Sequence, residues 1–256
     1  MSRIIQIIAI VLIAGGLLYK TIPFIRKMKG AFKKIHVNSD MSLSDEKYRQ
    51  LALGAIYSEQ QSAFINSLTT GIPVFEMKAM LHNWWEVNDG FSAKYTLDFL
   101  LDNARKSVFP DVFKSFKNEE GTDAFSMFTD TQKKQKAYSQ LQHLKDTFSD
   151  LQKEGIITND EELERLGTDG WELGRLVYVA RMCFDAGFIS ETEAWNYIAD
   201  AAGIAKEKFS NWKDFAYSYV IGRSLWSGKD SANSGIAYIA KYLLSEPQSP
   251  WVKLNW

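Results

Sequence analysis

The 256-residue chain has few of the side chains that most often carry chemistry, since it contains one cysteine and three histidines. The lone cysteine, Cys183, excludes an internal disulfide framework and fits a reducing compartment. The histidines His36, His82 and His143 lie far apart, and none belongs to a zinc-binding spacing such as H-x-x-x-H. A G-x-S-x-G nucleophile elbow and a dinucleotide-binding glycine pattern are also absent from the sequence. The sequence therefore predicts no metal site, no cofactor and no recognisable catalytic residue.

The chain also has little net charge, −1 in total. This near-neutrality hides an asymmetry, because residues 1–40 carry seven basic side chains against the single acidic residue Asp40. The rest of the chain therefore has an acidic excess and lacks the clustered Lys and Arg that neutralise phosphates, so we expect no nucleic-acid partner. An apolar content of 46% with 14% aromatics is enough for a packed core and argues against global disorder.

One long apolar run stands near the start of the chain, at Ile4–Leu18, and apolar character resumes weakly over Ile22–Ile25. At about 1.5 Å per residue, a helix over this stretch would span roughly 22–33 Å, close to a hydrocarbon core of about 30 Å. We therefore expect a membrane contact through residues 4–25 as a single-pass helix. Five basic residues between Arg26 and Lys34 follow it, which places the C-terminal domain in the cytoplasm. A buried core helix and a helix lying along the membrane surface are the alternatives.

The remainder of the chain is patterned for helices, since no sustained period-2 run of β-branched residues occurs outside the apolar run. We expect an all-α, multi-helix globular domain of about eight to ten helices, preceded by one N-terminal transmembrane helix. The predicted organisation is a membrane anchor over residues 1–25, a basic juxtamembrane linker over 26–41, and a single helical domain over 42–256.

Start and stop signals divide this domain into helices. The predicted segments are 42–61 with Ser42 as N-cap, 73–87 opened by Pro73, 92–108 begun by Ser92, and 131–154, with a loop or short helix over 114–130. Two connectors, at 155–161 and 187–193, each combine a glycine helix stop, two apolar residues and a capping box of the Ser/Thr-x-x-Glu type. Thr158 and Ser190 are the expected N-caps, so both connectors are interpreted as structural.

The segment Gly170–Gly228 concentrates four tryptophans, three arginines and the cysteine. Placed on a helical wheel at about 100° per residue, the helix that includes Trp171 is apolar on two opposite faces. A helix apolar on both sides is normally sandwiched in the core, so we expect this one to lie at the centre of the fold. Two tryptophans near the C-terminus, Trp251 and Trp256, are expected to pack back on the body.

Charged residues lie at the two boundaries between the apolar faces of the predicted central helix. Glu172 and Arg175 are spaced i, i+3 and are a predicted ion pair. Arg181 and Asp185 are spaced i, i+4 and are a second one. In a later helix, Arg223 falls within an aromatic stripe, where its flat guanidinium can stack on rings. Two interpretations of Arg223 stay open: a structural arginine that bridges to a helix terminus or to Asp185, and an arginine that faces a ligand.

Four motifs stand in the C-terminal part of the chain: GWELGR at 170–175, R-x-x-x-D-A-G-F-I-S-E-x-E-A-W at 181–195, W-x₁₀-R-x-x-W at 212–226, and SPW at 249–251 with Trp256. Together they resemble a bacterial family catalogued as a domain of unknown function, number 1266. Asn83-Trp84-Trp85 and the helix that follows also resemble that family, so the likeness covers most of residues 45–256. The resemblance implies an all-helical domain and assigns no reaction. Two features of this sequence depart from the pattern of that family. One is Glu172, where the family more often has aspartate, and the other is the predicted N-terminal anchor.

A candidate site follows from the charged and aromatic residues of this region. Three arginines could hold an anionic ligand bidentately, or they could form an internal salt-bridge network with the acidic residues. The candidate ligand-binding residues are Trp171, Glu172, Arg175, Arg181, Asp185, Arg223 and Trp226. We expect a non-catalytic module at the cytoplasmic face of the bacterial inner membrane that binds a protein partner or a small anionic ligand. The alternative is an enzyme acting on an anionic substrate held by the arginines, with Glu172 or Asp185 as acid/base.

Overall fold

The computed structural model describes residues 35–118 and 125–256. Within these two ranges every regular element is an α-helix and no residue lies in a β-strand, so the prediction of an all-α domain is confirmed. The helices are α1 Asp45–Ala52, α2 Ala55–Gln61, α3 Val74–Trp85, α4 Gly90–Arg105, α5 Phe109–Lys117, α6 Thr131–Lys153, α7 Asp160–Leu166, α8 Asp169–Asp185, α9 Glu191–Lys208, α10 Trp212–Ser227, α11 Ala232–Ser245 and α12 Pro250–Lys253.

The predicted transmembrane helix over residues 4–25 lies outside the described residues, together with most of the predicted linker over 26–41. Among residues 35–118 and 125–256, no helix has both the length and the apolar character needed to cross a membrane. The anchor therefore remains a prediction.

The helix predicted over 42–61 is in fact two helices, and its N-cap is Ser44 instead of Ser42, with the Ser44 hydroxyl accepting from the Lys47 amide. The break falls at Gly54, between α1 and α2. A Cβ atom on Gly54 would lie 3.0 Å from Cγ1 of Val177, which is closer than an ordinary contact, so the chain passes close to α8 at this point. Tertiary contact with the central helix, which a local pattern does not show, thus accompanies this break.

The start of α4 is also earlier than predicted. Asp89 is the N-cap, and its carboxylate accepts a hydrogen bond of 2.8 Å from the Ser92 amide. The Ser92 hydroxyl in turn accepts from the Asp89 amide, so the two residues form a capping box. Ser92 is therefore the third residue of the helix and not its first.

The two predicted connectors both contain a glycine at positive φ, 63° at Gly155 and 75° at Gly187. The capping box of Ser190 with Glu193 is confirmed. In the other connector the cap is shifted by one residue, because Asn159, and not Thr158, accepts from the Glu162 amide at 2.9 Å. Thr158 instead contacts the Glu162 carboxylate, which accepts from the Thr158 backbone amide at 2.8 Å.

Helix α8 is the centre of the fold, as its two apolar faces predict, and it packs against α2, α3, α4, α9 and α10. Its crossing with α10 depends on two glycines. A Cβ atom on Gly170 would lie 2.6 Å from the Phe215 carbonyl oxygen, and one on Gly222 would lie 2.5 Å from the Thr168 carbonyl oxygen. Because no side chain fits between them, the two backbones approach closely.

The C-terminal tryptophans pack back on the body as predicted. Trp251 stacks on Trp212 with ring centroids 5.6 Å apart, and its indole N–H donates to the Ala52 carbonyl at 2.8 Å. Trp256 meets Trp212 edge to face at 4.6 Å and donates to the Phe209 carbonyl. These contacts tie the end of the chain to α1 and to the start of α10.

Candidate functional site

The structure divides the seven predicted site residues into groups. Arg181 and Asp185, at the C-terminal end of α8, bind the loop between α2 and α3. The other five lie near the N-terminal half of α8 and the C-terminal half of α10, and four of them line one cleft: Trp171, Glu172, Arg175 and Trp226.

Arg181 is completely buried and bound by neutral groups. Its guanidinium donates to the Ser58 hydroxyl at 2.8 Å and to backbone carbonyls of the loop, among them Leu68 at 3.3 Å and Thr69 at 3.2 Å. Burial lowers the pKa of Arg181 to about 10. Because Arg181 is completely buried and its donors are bonded to Ser58 and the loop, it stabilises the fold and is not accessible to a ligand.

Asp185 does not form the predicted i, i+4 ion pair with Arg181. Its carboxylate accepts from the Thr70 amide at 2.6 Å and from the Thr70 hydroxyl at 2.7 Å. Burial raises the pKa of Asp185, against the opposing effects of these hydrogen bonds and of the Arg181 charge. The predicted ion pair between Arg181 and Asp185 is therefore wrong, because each residue bonds to the loop between α2 and α3 instead of to the other.

The cleft has a volume of about 440 Å³ and opens between α4, α6, α8 and α10. Its lining is mainly amide and aromatic, with a small ionic group. The amides come from α4 and α6, and they are Asn103, Gln132, Gln135 and Gln140. Two aromatic rings in the lining are more than half exposed, Phe99 at 52% and Trp226 at 59%.

An ionic triad forms part of the wall. Glu172 pairs with Arg175, as predicted, and also with Lys136 of α6, whose Nζ lies 3.2 Å from Oε1. Lys136 donates in addition to the Asn103 side-chain carbonyl at 3.0 Å. Burial alone would raise the pKa of Glu172, but the charges and hydrogen bonds of Arg175 and Lys136 outweigh it and lower that pKa. The triad keeps Glu172 ionised and carries one net positive charge.

The Arg175 guanidinium contacts two tryptophan rings, with its Cζ 4.5 Å from the ring centroid of Trp171 and 5.5 Å from that of Trp85. Its Nε is buried and has no hydrogen-bond partner among the described residues. The same holds for Nε1 of Trp171 and Oε1 of Gln140, which are shielded atoms of two further residues of the lining. Buried polar atoms are normally paired, so their clustering here distinguishes this cleft.

A second cavity of about 440 Å³ lies between α6, α10 and α11. Its lining mixes carboxylates with lysines, for example Asp150 with Lys153. Within the part of the chain that the structure describes, none of the buried unpartnered side-chain atoms belongs to its lining. The two cavities therefore have equal volumes. Of these two, only the cleft at Glu172 has lining residues with buried side-chain atoms that lack a hydrogen-bond partner in the described ranges.

Arg223 lies behind the cleft and holds the aromatic wall. Its Cζ is 5.0 Å from the Trp226 ring centroid and 5.8 Å from that of Trp171. The guanidinium donates to Asp230 at 2.9 Å and to the Asn233 side chain at 3.3 Å, both at the start of α11. Arg223 is therefore a stacked arginine that bridges to a helix terminus, with Asp230 and not Asp185 as its acidic partner.

Sequence reasoning missed the part of the cleft that α6 contributes. Gln132, Lys136, Gln140 and His143 recur every three or four residues, which places them on one face of this helix. Nδ1 of His143 lies 2.7 Å from the Leu225 carbonyl oxygen, and since a carbonyl only accepts, this nitrogen carries a proton. This polar face could have indicated that α6 contributes to a site, although the leucine stripe of the same helix is more conspicuous.

Two other kinds of site find no support in the described ranges. No group of three or more His, Cys, Asp or Glu side chains there is arranged to hold a metal ion. Cys183 is buried, and burial raises the pKa of its thiol to about 12, so it is a core residue and not an activated nucleophile.

Comparison with known protein families gives a match over most of the chain. The model of a family described as "Protein of unknown function (DUF1266)" matches residues 80–256, which include the four helices that form the cleft. Neither a curated protein nor a solved structure matches the chain.

Proposed function

Since the chain belongs to the DUF1266 family of proteins of unknown function, we propose its function from the cleft: it is a non-catalytic, membrane-anchored module that binds a small anionic ligand. The anchor is residues 4–25, in the inner membrane of a bacterium, and the helical domain faces the cytoplasm. The observation that carries the proposal is the excess of hydrogen-bond donors over acceptors among the residues that line the cleft.

This excess can be counted atom by atom. Among the unpartnered atoms of the lining residues, Nε of Arg175 and Nε1 of Trp171 can only donate, whereas Oε1 of Gln140 can only accept. All three atoms are shielded from solvent, so a ligand reaches them only if the wall of the cleft moves. Lys136 has three ammonium protons, of which Glu172 and Asn103 take two. A carboxylate or phosphate oxygen is an acceptor without a proton of its own, and it also complements the net positive charge of the triad.

Binding is favoured over catalysis by the state of the two acidic candidates. Glu172 is held ionised between two cations, so it is a weak base and has no proton to give as an acid. Asp185 is bonded to Thr70 and does not line the cleft. The enzymatic alternative, with either residue as acid/base, therefore draws less support from this geometry.

Titration of the full-length chain with acetate and with inorganic phosphate tests the proposal, with the side-chain N–H resonances of Trp171 and Arg175 observed by NMR. We expect both signals to shift saturably with at least one anion. Lys136→Gln should weaken binding roughly 10-fold or more, because a hydrogen bond to a charged group is worth about 1.5–3 kcal/mol. Lys134→Gln, which removes the same charge from α6 outside the cleft lining, is the matched control. Absence of saturable shifts, or equal weakening by both variants, would contradict the proposal.

The topology has a separate experiment. A fusion protein that carries a reporter at the C-terminus should fractionate with membranes through residues 4–25, and its reporter should be active only if it is one that works in the cytoplasm. Activity of a periplasmic reporter at that position would overturn the cytoplasmic placement without bearing on the cleft.

A further inference from the structure

Trp226 is an unusual tryptophan because most of its ring faces solvent while its position is held from behind. It is 59% exposed, at the cleft. Arg223 covers it at 5.0 Å, and Trp171 lies beside it with ring centroids 5.9 Å apart. Single exposed apolar side chains are common on protein surfaces, so what distinguishes Trp226 is that it lines a concave surface and is supported from one side.

The support behind Trp226 is itself held in place. Arg223 is nearly buried, with 11% of its side chain exposed, and is bonded to Asp230 and Asn233. The ring therefore rests on a cation whose own position is set by two further residues. A ring ordered in advance loses less conformational freedom when a ligand stacks on it, which favours binding.

A second exposed ring comes from another helix. Phe99 of α4 lines the same cleft as Trp226 of α10, and both helices pack on α8. The volume of about 440 Å³ falls within the range of roughly 300–1,000 Å³ that is typical of small-ligand sites. A protein partner would need about 800 Å² of surface on each side, so a cleft of this size fits a small molecule better.

We propose that the ligand is a small molecule in which a flat aromatic or heteroaromatic ring carries an anionic group. The ring stacks on the exposed face of Trp226, and the anionic group receives a hydrogen bond from Lys136. The amides of Asn103 and Gln135 supply donors and acceptors to heteroatoms of the ligand. This inference rests on the proposed function, to which it adds the class of ligand.

A pair of probes that share charge and approximate size separates the ring from the anion. Benzoate has a flat ring, whereas cyclohexanecarboxylate has a saturated one. We expect benzoate to bind the full-length chain roughly 2- to 12-fold more tightly, which is the range that aromatic stacking adds. Saturation-transfer NMR and calorimetry measure the two affinities.

Two tryptophan variants assign the preference to its residue. Trp226→Leu should lower the affinity for benzoate more than that for cyclohexanecarboxylate, so that the two acids bind the variant equally. Trp84→Leu removes another exposed tryptophan, 56% exposed on α3 and outside the cleft lining, and should keep the preference. Because both side chains are exposed, both variants are expected to fold, which circular dichroism checks.

Each outcome bears on a different statement. Equal affinity of the two acids for the unaltered chain overturns the aromatic ligand and leaves the anion-binding function standing. Binding of neither acid contradicts both. A preference for benzoate that survives Trp226→Leu also overturns the inference, since stacking then occurs elsewhere.

Discussion

Arg181 and Asp185 lie one turn apart on α8, yet they bind the same loop instead of each other. The Arg181 guanidinium donates to carbonyl oxygens at Leu68 and Thr69, and the Asp185 carboxylate accepts from both polar groups of Thr70. The ordered loop between α2 and α3 is therefore fastened to the central helix by one cation and one anion.

Replacement of Arg181 by methionine should destabilise the fold strongly. The variant keeps much of the side-chain length, but it leaves the Ser58 hydroxyl and several buried loop carbonyls without donors. Each buried unsatisfied group costs about 1–3 kcal/mol, so we expect a loss of at least about 3 kcal/mol in the free energy of unfolding. Urea denaturation measures it. Arg105→Met, at an arginine with 53% of its side chain exposed, should change stability by about 0.5 kcal/mol or less. A similar loss in both variants would contradict the role assigned to Arg181.

Local patterns in the sequence predict much of the fold because they depend on neighbours in the chain. The two apolar faces of α8 indicate its central place, and Ser190 with Glu193 indicates the start of α9. The Glu172–Arg175 pair is also local. Arg181 was mispaired because its partners, Ser58 and the loop before α3, lie more than a hundred residues away in sequence.

The cleft shows the same limit. Its residues on α8 and α10 could be predicted because tryptophan and arginine are conspicuous within one stretch. Lys136 and Gln140 are ordinary residues on a polar helix face. Only the packing of α6 on α10 brings them into the cleft and brings Lys136 to Glu172. Position along the chain does not show which solvated faces meet across a cleft.

Two glycine-to-alanine substitutions should have opposite effects. Gly222→Ala places a Cβ atom 2.5 Å from the Thr168 carbonyl oxygen and from Cβ of Trp171, so α8 and α10 must move apart. Overpacking of this kind typically costs about 1–3 kcal/mol. Gly235→Ala, in α11, meets no atom within 4 Å and should stabilise by roughly 0.5–1 kcal/mol through helix propensity. Chemical denaturation compares the two. Stabilisation by Gly222→Ala would show that the close approach is not required.

The ionic triad predicts a dependence on acidic pH. Because the folded-state pKa of Glu172 lies below its ordinary value of 4.5, the stability it contributes is present above that value and is lost as pH falls through the folded-state pKa. Glu172→Gln leaves Lys136 and Arg175 facing each other, so we expect it to lose about 3 kcal/mol at pH 7. The difference from the unaltered chain should shrink below about pH 4. The exposed Glu164→Gln is the control, and a difference that is independent of pH would refute the role of the charge.

A carboxyl group at the end of α2 predicts the opposite trend. Burial raises the pKa of Glu59 from its ordinary value of 4.5 to about 7, and its Oε1 is shielded without a hydrogen-bond partner in the described ranges. The fold thus prefers the protonated form, so its contribution is complete below pH 4.5 and is lost as pH rises through about 7.

Glu59→Gln removes this titration while keeping the size of the side chain. The variant and the unaltered chain should have similar melting temperatures at pH 4.5, whereas at pH 8 the variant should be more stable by a few degrees, since 1 kcal/mol corresponds to about 2–4 °C for a domain of this size.

Tyr242 of α11 interacts electrostatically with Glu59, and the pKa of Tyr242 is raised by burial and then by nearby carboxylates that include Glu59. Tyr242 is therefore neutral over this whole pH range and leaves Glu59 as the titrating group. Glu207→Gln, at an exposed position on α9, should show no such difference between the two pH values. If Glu59→Gln were no more stable than the unaltered chain at pH 8, the buried carboxylate would have a partner that stabilises its charge.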